Sequence, residues 1–202
     1  MKIGVLLCGC GHLDGSEIQE SVLSMLAFEK RGADLVYISL DEKQKIFMPH
    51  NNKTTDIISH RNMLTESARI TRGNILAIED IEINELDGLV IPGGNGCAYN
   101  FCDFAQKSKN MQVHPKISFL VTQMHQRKKP IAAVCIAPIL LAKVLASSNI
   151  CITIGCEEAI IEIIESWGAS HKKCVKGDCV VDIKNKIVTT PAYMYVDSSI
   201  SE

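Results

Sequence analysis

Apolar positions in this chain follow two patterns. Short apolar-rich runs have the length of buried strands: Ile3 to Leu7, Leu35 to Leu40, Ile75 to Ile78, Leu86 to Ile91, Ile131 to Val134 and Cys151 to Ile154. Between them lie stretches with helical spacing. Ile18, Val22, Met25 and Leu26 form a stripe in a helix that Ser16 caps, Gln19 completing a capping box and Gly32 ending it. A second predicted helix runs from Asp56 to about Arg72, with Gly73 as its stop. A third opens at Pro115 and carries Ile117, Leu120, Val121 and Met124. A fourth runs from Ile136 to about Ala146, and Pro138 fits only its first turn, where the missing N–H costs nothing. A fifth covers Glu157 to Trp167. Cys179 to Ile183 and Ile187 to Thr190 read as a hairpin across Lys184-Asn185-Lys186. Repeated strand–helix order predicts an α/β fold, a mostly parallel sheet with helices on both faces.

Such sheets bind ligands beyond the carboxyl ends of their strands. Three segments lie there: Cys8 to Glu17, Pro92 to Gly96, and the turn at Cys135. Two are rich in glycine, which lets a backbone approach a ligand and offer its N–H groups to an anion. Tight turns are the plain alternative for either loop. Cys135 stops a strand and precedes a helix N-terminus, which favours a thiolate, the reactive form of cysteine. Ala133 and Ala137, two residues to either side, supply the small flanks a sharp nucleophile turn needs. A buried cysteine that only packs is the competing reading. The Gly9-x-Gly11 pair also invites a dinucleotide site, but three residues separate Gly11 from Gly15, and Glu17 would repel pyrophosphate.

Composition narrows the classes. The chain has 202 residues, 47% of them apolar, which suits one domain with a sizeable core. A net charge of -2 leaves no electrostatic footprint for nucleic acid. The longest apolar run, Ile131 to Ala142, contains Pro138 and is too short to span a bilayer, so no membrane partner is expected. Ile3 to Leu7 is too short for a secretory signal. The nine cysteines are therefore expected to be reduced thiols in the cytoplasm. Cys8-x-Cys10-x-His12 and His171-x-x-Cys174-x4-Cys179 lack the paired spacing of structural zinc sites, so no metal is expected. His125 reads as a partly buried structural residue. Ile160, Ile161, Ile163, Ile164 and Trp167 make one helix more apolar than a single stripe requires, which suggests a homo-oligomer interface there.

Several motifs in order carry a specific resemblance. They are Cys10-Gly11-x-x-Asp14-Gly15-Ser16-Glu17, the run Arg61 to Gly73, Pro92-Gly93-Gly94, Lys129-Pro130, Cys135-Ile136-Ala137-Pro138 and Asn185-Lys186-x-Val188-Thr189-Thr190-Pro191-Ala192-Tyr193-Met194. From about residue 2 to 194 the chain resembles the ElbB family, the isoprenoid-biosynthesis glyoxalase or sigma cross-reacting protein family, within the ThiJ/PfpI superfamily of class I glutamine-amidotransferase-like folds. The glycine loop departs from that family at Asn95 to Asn100, where members more often carry an aromatic residue and a lysine.

The resemblance implies a flavodoxin-like three-layer sandwich over residues 1–202, one domain lacking the family's usual final helix. It implies that Cys135 is the elbow nucleophile, that Glu17 approaches its thiol and moves protons, and that backbone N–H groups at Gly93, Gly94 and Ile136 form an oxyanion-type pocket. The expected activity is a glyoxalase-like conversion of a small reactive carbonyl to a hydroxy acid, with no cofactor and a link to isoprenoid metabolism. An amidotransferase or cysteine protease is disfavoured: Ile136 stands where such proteases place histidine, and the late histidine reads His171-Lys172-Lys173 rather than His-x-Glu. The alternatives are a non-enzymatic regulatory or redox-sensing protein using Cys135, and a structural partner that keeps only the fold.

Overall fold

The computed structural model describes residues 1–51 and 60–201. A seven-stranded sheet runs in the order β3-β2-β1-β4-β5-β9-β8. Its strands are β1 (Lys2–Leu6), β2 (Asp34–Ser39), β3 (Leu76–Ala77), β4 (Gly88–Ile91), β5 (Ile131–Val134), β8 (Val180–Asp182) and β9 (Ile187–Thr190). All neighbours are parallel except β8 and β9, the antiparallel hairpin expected from the sequence. The fold is the α/β sandwich with a mostly parallel sheet.

Alternation along the strands divides the interior between two faces. Ile3, Val5 and Leu7 join Met25, Ala33 and Val90 on one side. Leu6, Cys8, Leu89 and Ile91 join the larger core on the other. Gly4 has no Cβ because one would stand 3.0 Å from a Leu86 methyl.

The helices are α1 (Ile18–Glu29), α2 (Met63–Ser67), α3 (Phe104–Lys107), α4 (Pro115–Gln126), α5 (Pro138–Val144) and α6 (Glu158–Ser166). Pro138 does open α5, and α4 buries all four of its predicted apolar positions, Ile117, Leu120, Val121 and Met124. His125 is half-buried, with its ring 3.2 Å from the Asn185 carbonyl oxygen.

Four expectations need correction. The helix expected over residues 56–72 lies partly outside the described residues. Within them it is only α2, because Asn62 bridges to Lys43 as extended chain and then caps the helix, its side chain accepting from Thr65 N–H at 3.0 Å. Cys151–Ile152 is β6, but it pairs with Ser170–His171 (β7) in a separate two-stranded sheet. The N-cap of α1 is Glu17 rather than Ser16; the Ser16 hydroxyl is turned inward and accepts from Cys8 N–H at 2.9 Å.

The fourth correction concerns the exposed faces. The apolar surface of α6 is partly covered by its own chain, with Ile160, Ile163 and Trp167 half-buried. Ile161 and Ile164 are buried, and Trp167 packs edge-on to Phe104, lies beneath the Lys143 ammonium and donates to Lys109 O at 3.0 Å. The uncovered stripe is on α1, where Ile18, Val22, Leu23 and Leu26 are 42–45% exposed and Met25 is the apolar side chain that is buried. Among the described residues no helix is long and apolar enough to cross a membrane.

Candidate functional site

The ends of β1, β4 and β5 converge with the N-terminus of α1. Cys135 follows β5 directly, in the left-handed region at φ +60°. A side chain there is strained by roughly 1–2 kcal/mol, and the surroundings enforce it. The Cys135 N–H donates to Thr190 O at 2.9 Å, and Pro138 commits the chain to α5 three residues later. The strained backbone lifts the thiol off the strand into a cavity of about 520 Å³. That cavity is also lined by His12, Glu17, Gln19, Asn95, Tyr193 and Met194.

Three backbone groups expected at the site take two different roles. The N–H groups of Gly94 and Ile136 both face the Cys135 sulfur and favour its thiolate. Gly93 N–H instead donates to Glu20 Oε2 at 2.8 Å. Gly93 is where the site is tightest. A Cβ there would overlap that of Cys135 and lie 2.5 Å from Glu20 Oε2, so only glycine lets the nucleophile and the carboxyl close on this residue. Gly94 sits at φ +99°, with Glu17 N only 2.5 Å from where its Cβ would be.

The carboxyl that packs against the thiol is Glu20, one turn along α1 from the Glu17 that the resemblance implied. Glu17 does line the cavity, but its Oε2 accepts from Glu20 N–H at 2.6 Å and caps α1. Glu20, one helical turn on, is buried against Cys135: a Cβ on Gly93 would lie 2.4 Å from Cys135 Cβ and 2.5 Å from Glu20 Oε2. Burial raises its carboxyl to about 7, and the charge of Glu17 adds to the rise. Burial likewise pushes the Cys135 thiol well up, followed by the charge of Glu20, while the N–H groups of Gly94 and Ile136 oppose the rise. Burial thus opposes the thiolate that the helix end was expected to favour. A carboxyl raised to about 7 beside the thiol is suited to carrying a proton near neutrality.

Glu20 was missed because it reads as an ordinary polar position of an amphipathic helix. A signal was present nonetheless. Residues three apart share a helix face, so a cleft-facing Glu17 implies a cleft-facing Glu20. His12, also missed as a pocket residue, stands edge-on to His50 with ring centroids 4.9 Å apart. Gly11 makes room for that ring, since a Cβ would lie 2.5 Å from His50 Cε1. His171 lies elsewhere, its Nε2 accepting from Ile154 N–H at 3.2 Å. Among the described residues no group of three or more His, Cys, Asp or Glu is arranged to hold a metal ion.

Comparison with known proteins agrees with this architecture. The human glutamine amidotransferase-like class 1 domain-containing protein 3, mitochondrial, is 36% identical over 96% of this chain and 75% of its own length. The rat mitochondrial ES1 protein homolog is 35% identical over the same shares. The crystal structure of an isoprenoid biosynthesis protein with an amidotransferase-like domain from Ehrlichia chaffeensis superposes with a TM-score of 0.92 at 36% identity, covering 99% of this chain and 91% of that one. The family model that spans residues 10–194, nearly the whole course from the first glycine loop to Met194, is that of the DJ-1/PfpI family, to which this chain belongs.

Proposed function

We propose that this chain is a cysteine-dependent enzyme of glyoxalase type, converting a small 1,2-dicarbonyl to the corresponding hydroxy acid without a cofactor. The observation that carries the reading is Cys135 lining an open cavity, with the buried carboxyl of Glu20 against it and the backbone N–H groups of Gly94 and Ile136 facing its sulfur. Cys135 sulfur adds to one aldehyde carbon. The hemithioacetal oxygen takes up the N–H groups of Gly94 and Ile136, which are fixed before reaction and need no reorganisation. Glu20 then removes the proton from that carbon and returns one to the neighbouring carbonyl carbon, leaving a hydroxyacyl thioester. Water hydrolyses the thioester, releasing the hydroxy acid and restoring the thiol. The sum is dicarbonyl plus water to hydroxy acid, with no external oxidant or reductant. A carboxyl near 7 suits both directions of transfer.

An amidotransferase or protease activity fits less well. Ile136 follows the nucleophile, and among the described residues no histidine hydrogen-bonds to Cys135. The likeness to the ElbB family and to the Ehrlichia protein favours a place beside isoprenoid metabolism. All nine cysteines are free, which suits a reducing compartment. The sequence reading placed that compartment in the cytoplasm, whereas the human and rat relatives are named as mitochondrial. The uncovered α1 stripe is the face we assign to self-association. A regulatory reading has one observation in its favour: the N–H pair that would hold a substrate oxyanion would equally hold an oxygen of a sulfenate or sulfinate on Cys135.

Glyoxal and methylglyoxal turnover, followed on wild type beside Cys135→Ser and Glu20→Gln, tests the choice. Activity lost in both variants, by about 100-fold or more for the missing proton carrier, supports the enzyme. Stoichiometric peroxide oxidation of Cys135 with no turnover sinks it.

A further inference from the structure

Every backbone feature of the cavity favours an anion. Gly94 and Ile136 aim N–H groups into it, and the N-terminus of the twelve-residue α1 opens at its rim. One side chain opposes them. Glu17 caps α1 and lines the cavity, and among the described residues it has no cationic partner. Among the described residues, no lysine or arginine lines the cavity. The Glu17 charge also reaches inward, since both Glu20 and Tyr193 feel it.

We propose that Glu17 is a specificity-determining residue that makes the Cys135 cavity accept uncharged carbonyl compounds and reject carboxylates and phosphates. A dicarbonyl such as glyoxal enters without charge. A 2-oxo acid of nearly the same size meets a like charge at the rim. Under the glyoxalase reading, on which this part rests, the same charge meets the product. The hydroxy acid leaves the thioester as an anion, so the rim that was indifferent to the substrate repels what is made from it. Capping and selection do not conflict: one carboxylate oxygen holds Glu20 N–H, and the negative charge stays at the mouth.

Two alkylating reagents of equal reach and different charge test the filter without turnover. Cys135 displaces iodide from iodoacetamide or from iodoacetate, and mass spectrometry gives both rates, each normalised to the exposed Cys156 of the same molecule. The ratio of the two rates removes any change in how much thiolate is present. Glu17→Gln keeps an oxygen to cap α1 and loses only the charge. The preference of Cys135 for iodoacetamide should fall about tenfold in Glu17→Gln, the size of a unit-charge interaction across a partly solvated rim. Gln19→Lys, which leaves the cap untouched, should move the ratio the same way. A ratio unchanged in both variants overturns the filter. Inhibition by glycolate should tighten about tenfold in Glu17→Gln, and unaltered inhibition removes the product clause. Wild type that turns over no dicarbonyl but shows the ratio change would sink the glyoxalase reading and leave the filter standing. Turnover with an unmoved ratio would do the reverse.

Discussion

Helices α1 and α5 both start at the site, and they are held in opposite ways. In α5, Pro138, Ile139, Leu140, Leu141 and Ala142 are all buried, so the thiol is delivered by an element locked in the core. In α1 only Glu20, Ser21 and Met25 are buried, and four large apolar side chains face outward. The nucleophile is placed by packing. The carboxyl is placed by its bond to Gly93, on a helix whose outer face still lacks cover. The difference separates stability from chemistry, and it predicts which substitutions will touch which.

The largest contrast should appear in paired truncations. Leu140→Ala removes a fully buried side chain and should cost about 3 kcal/mol in denaturant unfolding, while Leu23→Ala on α1 should cost less than about 1 kcal/mol. Equal losses would mean that α1 is held as tightly as α5.

Next is the pH dependence of Glu20. Its carboxyl is raised from 4.5 to about 7, so the folded protein keeps a proton that the unfolded chain releases. Stability from this group is fully present below about 4.5 and is lost as pH rises through about 7. The wild type should therefore lose on the order of 3 kcal/mol across that window relative to Glu20→Gln. Parallel stability curves for the two proteins would count against a buried, proton-retaining carboxyl.

Association should respond to α1 alone. Val22→Asp with Leu26→Asp should turn a dimer into a species of about half the mass in light scattering, with monomer stability changed by only about 0.5 kcal/mol per site. A wild type that stays at 22.2 kDa at every concentration would leave the α1 face unexplained.

The smallest effect is kinetic. Above about 7 the ionised Glu20 opposes the Cys135 thiolate, so the alkylation rate of wild type should climb less steeply there, by several-fold. In Glu20→Gln it should rise smoothly with pH.

The same two helices show what the sequence made legible. The core strands were readable because an unbroken apolar run such as Ile131 to Val134 has few other uses, and Pro138 fixed where α5 could begin. The Cys135 turn followed from both. The facing of α1 was not readable. Its stripe of Ile18, Val22 and Leu26 has the spacing of a buried face, yet the side turned inward carries Glu20 and Ser21, because that side closes on the site. Periodicity reports that a helix has two faces and not which one the fold covers. In α6 the excess of isoleucine looked like an interface, until Phe104, Lys109 and Lys143 from distant segments supplied the cover. The π-helical turn of Cys97–Phe101 left no pattern at all, since it is set by the fit of the glycine loop against Gly15 and Cys8.

The two successive peptides that meet at Gly93 touch both reactive groups. Gly93 N–H, in the first, holds Glu20; in the second, Gly94 N–H faces Cys135 and Gly93 O receives Glu17 N–H at 2.9 Å. The separation of carboxyl and thiol is thus set across two adjoining amide planes rather than by the relative drift of two helices. That gives the site a built-in spectroscopic reporter. In a labelled sample the Gly93 amide proton resonance should follow the protonation of Glu20, and the Gly94 resonance that of Cys135. The proton balance of the pair could then be read at adjacent residues of one backbone, with no substrate present.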